Sequence, residues 1–76
     1  MLFKNKAYRE LEAIIYEINN DLSNNYKDNA VIGIKKFEKE LAEVEASGGL
    51  KEKDLQKFRT ILEDFKRDVA NFKRTY

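Results

Sequence analysis

The chain has 76 residues, enough for a single domain over 1–76 that buries only about 60% of the surface its unfolded form would expose. Its 15 Lys and Arg against 14 Asp and Glu give a net charge of +1, so there is no overall attraction to nucleic acid or to an anionic membrane. The absence of Cys and His removes disulfides, thiolate chemistry, the commonest metal ligand and the usual neutral-pH acid–base.

The opening stretch MLFKNKAYRE holds no apolar run resembling a signal-peptide core, and nowhere do apolar residues approach the ~20 in succession that a membrane span needs. A cytoplasmic location without membrane attachment is the expectation. Ala7, Leu11, Ile14, Ile18 and Leu22 then recur at spacings of three and four, with Tyr8 and Ile15 widening the stripe, which predicts a first helix over about 5–22. Tyr16 falls off that stripe, about 140° around the helical wheel from Leu11, among Arg9, Glu12 and Asn20.

Asn19, Asn20, Asn24, Asn25 and Asn29 cluster around Ser23, and such side chains bond to nearby backbone and favour turns over helix interiors. Asn25 is the expected N-cap of the next helix, with Asp28 three residues on in the position of a capping box. Asp21, Ser23 and Asn25 match the first, third and fifth ligand positions of an EF-hand calcium loop. Tyr26 stands where that loop requires Gly, however, and Ile32 where it requires Glu, so the reading is a polar interhelix turn.

A second helix over about 26–46 carries Tyr26, Ala30, Ile34, Phe37, Leu41 and Val44 on its apolar stripe. Ile32 points to the opposite side, into Asp28, Lys35, Lys36 and Lys39. Gly33 beside it costs about 1 kcal/mol relative to Ala and marks a close backbone approach, either inside the bundle or to a partner. Gly48 is placed to end this helix in the left-handed conformation.

With Lys51 as the N-cap, Leu50 and Leu55 have the spacing of a hydrophobic staple, and Glu52 and Asp54 put negative charge in the first turn of a third helix over about 52–75. Leu55, Phe58, Leu62, Phe65, Val69, Phe72 and Tyr76 keep a strict three/four alternation there, flanked by Ile61. Three helices joined by short connections predict an all-α, antiparallel up-down-up three-helix bundle in which the first and third helices run parallel.

No carboxylate lies on an apolar stripe, and there is no glycine-rich phosphate loop, so the expectation is a non-enzymatic protein with no cofactor and no metal. Arg59, Lys66 and Lys73 form a basic stripe at seven-residue intervals. With Arg67 and Arg74 it could contact phosphate, the basis of an alternative reading as a nucleic-acid-associated accessory protein. Glu10 and Glu17 have the same spacing on the first helix, and an offset of 49 residues would pair Glu10 with Arg59 and Glu17 with Lys66, which favours pairing within the bundle. The favoured reading is a small interaction or scaffold module whose partner is another protein or a second copy of itself. Tyr16, Ile32, Phe72 and Tyr76 are the candidate contacts, the last two as a C-terminal seam between copies.

Overall fold

A computed structural model describes residues 6–71. They form three helices, α1 (Lys6–Ser23), α2 (Lys27–Ser47) and α3 (Glu52–Ala70), packed as an antiparallel up-down-up bundle. The predicted starting position at residue 5 and the extension of the third helix to residue 75 fall outside the described residues, as do Phe72 and Tyr76.

The apolar stripes become the core as the spacing predicts. Leu11, Ile14 and Ile18 of α1, Ala30, Ile34, Phe37 and Leu41 of α2, and Leu55, Phe58, Leu62 and Phe65 of α3 are all buried. Tyr8, Ile15, Leu22, Val44, Leu50, Ile61 and Val69 are half-buried around them. Phe37 meets both Phe58 and Phe65 edge-on, at centroid separations of 6.2 Å, and Phe58 in turn takes the edge of Tyr8 at 5.0 Å. Such tilted ring pairs, positive edge to negative face, are the preferred arrangement for aromatic side chains.

The helix ends show where the cap expectations hold and fail. Gly48 is left-handed at φ 72°, and its N–H donates to the carbonyl of Glu45 while that of Gly49 donates to Val44, the paired bonds of a Schellman termination. The same motif closes α1, where Asn25 N–H donates to Leu22 and Tyr26 N–H to Asp21 with Asn25 at φ 62°. Asn25 is therefore not the N-cap of α2. It ends α1 by adopting the left-handed conformation, which Asn tolerates better than most residues. Tyr26 becomes the N-cap without a side-chain bond to the helix, and at 55% exposure it leaves the apolar stripe assigned to it. Lys51 is the N-cap of α3 as expected, likewise without a capping bond.

Gly33 is explained inside the bundle. A β-carbon there would lie 2.9 Å from Cγ1 of Ile18, itself completely buried, so α1 and α2 approach closely at this point because residue 33 has no side chain. Substituting Gly33→Ala should therefore destabilise the chain in chemical denaturation, whereas helix propensity alone would stabilise it by about 1 kcal/mol. Phe37→Ala should cost about 3–5 kcal/mol, since it empties the position around which the aromatic contacts are built. A midpoint unchanged by Phe37→Ala would show that the ring cluster does not support the fold.

Candidate protein-contact surfaces

The flanks of each helix, rather than its buried stripe, decide which side chains meet. On α1 the edge toward α3 is Tyr8, Glu12, Ile15 and Asn19, and on α3 the edge toward α1 includes Lys57 and Ile61. The ammonium of Lys57 donates to the hydroxyl of Tyr8 at 2.6 Å, across 49 residues of sequence. It also lies 5.1 Å from the Tyr8 centroid and 5.8 Å from that of Phe58. The hydroxyl stands between the ammonium and the Tyr8 ring, so the hydrogen bond is the principal contact there. That bond raises the Lys57 pKa above the ordinary lysine value, opposed by desolvation and with lesser help from the nearby Glu12 and Asp54.

The 49-residue offset is thus present between α1 and α3, but it does not join the charges expected of it. Arg59 pairs with Glu45 near the end of α2 and with Glu52 in the first turn of α3 at 3.1 Å, and Lys66 pairs with Glu38 of α2 at 2.8 Å. The pairings of Glu10 with Arg59 and Glu17 with Lys66 are not formed, and Glu10 faces Lys6 of its own helix at 3.9 Å. On a wheel of 100° per residue, Arg59 and Lys66 lie on the opposite flank of α3 from Lys57 and Ile61, and Glu10 and Glu17 lie well away from Tyr8 and Glu12 on α1. The seven-residue spacing was the right signal for a pairing stripe. It says nothing of which neighbour lies on which side.

The other candidate phosphate contacts divide between an ion pair and undescribed chain. Arg67 reaches Asp64 of its own helix at 2.8 Å, while Lys73 and Arg74 lie outside the described residues. Hydrogen bonding to Glu45, and then Glu52, raises the pKa of Arg59, and bonding to Glu38 raises that of Lys66.

Of the candidate partner contacts within the described residues, Tyr16 is 77% exposed and Ile32 66% exposed. Tyr16 is not isolated. It forms part of the wall of an open groove of about 260 Å³ between α1 and α3, together with Glu12, Ile15, Asn19, Lys57, Phe58 and Ile61. Sequence reasoning identified Tyr16 but not the groove, because Ile15 and Ile61 read as ordinary flanks of their stripes. Their periodicity could not show that α1 and α3 both lean on α2 and leave a cleft between them. Among the described residues no polar or charged side chain is buried, and no group of three or more carboxylates is placed to hold a metal ion. No described helix is long and apolar enough to cross a membrane.

No protein-family model, no curated protein and no solved structure matches this chain.

The α2–α3 pairs are exposed, so each should contribute little to stability. Lys66→Glu should lower stability slightly, and adding Glu38→Lys should recover it at low salt, whereas adding Glu17→Lys should recover nothing. Because the Lys66 pKa is raised on folding, its contribution should be complete at neutral pH and fade only as pH climbs above the ordinary lysine value of 10.5 and through the higher folded one. Nitrogen-detected NMR titration should show Lys66 returning toward 10.5 in Glu38→Gln.

Proposed function

We propose that this chain is a non-enzymatic contact module, which acts by receiving a helix of a protein partner in the groove between α1 and α3. The observation that carries the reading is that groove, where the half-buried Ile15 and Ile61 form an apolar strip beside Phe58 and the exposed Tyr16 stands on the rim. At about 260 Å³ it falls below the usual size of a small-molecule pocket, and it is open along its length, a shape that suits side chains projecting from a helix. A rigid aromatic beside branched aliphatics, with charge at the edges, is also the composition that concentrates binding energy in protein interfaces.

The engagement of the basic stripe supports the same preference over nucleic-acid association. Arg59, Lys66 and Arg67 each already have a carboxylate partner, so phosphate contact would have to displace Glu45, Glu52, Glu38 and Asp64.

Two measurements test the reading together. Proteins captured on the immobilised chain from native lysate should include a species lost with Tyr16→Glu and kept with Ala46→Glu, a change at an exposed position remote from the groove. Retention on heparin should be slight and should change little with salt. Capture indifferent to Tyr16, combined with heparin retention that falls steeply with salt and is lost in Arg59→Ala with Lys66→Ala, would overturn the proposal in favour of phosphate contacts.

A further inference from the structure

We draw no further inference here: the strongest candidate, the open groove between α1 and α3 walled by Ile15, Tyr16 and Ile61, is lined by one carboxylate, Glu12, and one ammonium, Lys57, and nothing in the structure shows what covers it.

Discussion

The arrangement of the bundle depends on one chain of aromatic contacts that runs through α2. Phe37 touches Phe58 and Phe65 edge-on, and Phe58 carries the sequence of rings on to Tyr8. With Phe37 and Phe58 both completely buried, α3 is held against α2 over nearly two turns, and α1 meets α3 through the rim residue Tyr8. On its other flank α2 takes the buried side chain of Ile18 of α1 directly against the backbone of Gly33, where a β-carbon would not fit. The middle helix is thus the spine of the molecule. The cleft between the two outer helices follows from this, because side chains committed to α2 are not available to close it.

The ion pairs obey the same geometry. Arg59 and Lys66 are on the flank of α3 that lies along α2, and they meet Glu45 and Glu38, carboxylates seven residues apart on a helix running the other way. An antiparallel neighbour reverses the order of its residues, so the later cation meets the earlier acid. Arg59 also holds Glu52, bringing the end of α2 and the start of α3 to one guanidinium across the glycine turn. Such exposed contacts contribute little energy, but a shift of α3 by one turn along α2 would separate Arg59 from Glu45 and Lys66 from Glu38, which gives these two pairs a role in alignment.

What the sequence reveals and what it conceals follow from the distance over which each signal acts. The apolar stripes were legible because burial of Leu11, Ile34 or Phe58 is dictated by a periodicity within one helix. Gly48 was legible because a left-handed termination favours glycine almost regardless of surroundings. Asn25 was misread because the same side chain serves an N-cap and a left-handed C-terminal position, and the choice between them rests on whether the turn belongs to the helix before it or the one after. The partners of Arg59 were misread because charge spacing records a pitch and not a direction. The groove was invisible for a related reason. Ile15 and Ile61 have the sequence signature of half-buried flanks, and only the relative placement of α1 and α3 shows that the same water reaches both.

A domain of 76 residues has a small margin of stability, and an open cleft reduces it further by leaving apolar area in water. Any helix that fills the groove binds the folded chain and has no site on the unfolded one, so occupancy must raise the stability of the bundle in step with the concentration of the occupant. Filling the cleft would also restrain α1 and α3 relative to one another, which in the free chain depend mainly on α2 for their alignment. The residues best placed to feel this are Tyr8 and Lys57, whose hydrogen bond is the clearest direct link between the two outer helices and adjoins the groove wall. On the proposed reading, contact and folding would be coupled through the same few side chains, and a surface that weakens the isolated domain would be the one through which association strengthens it.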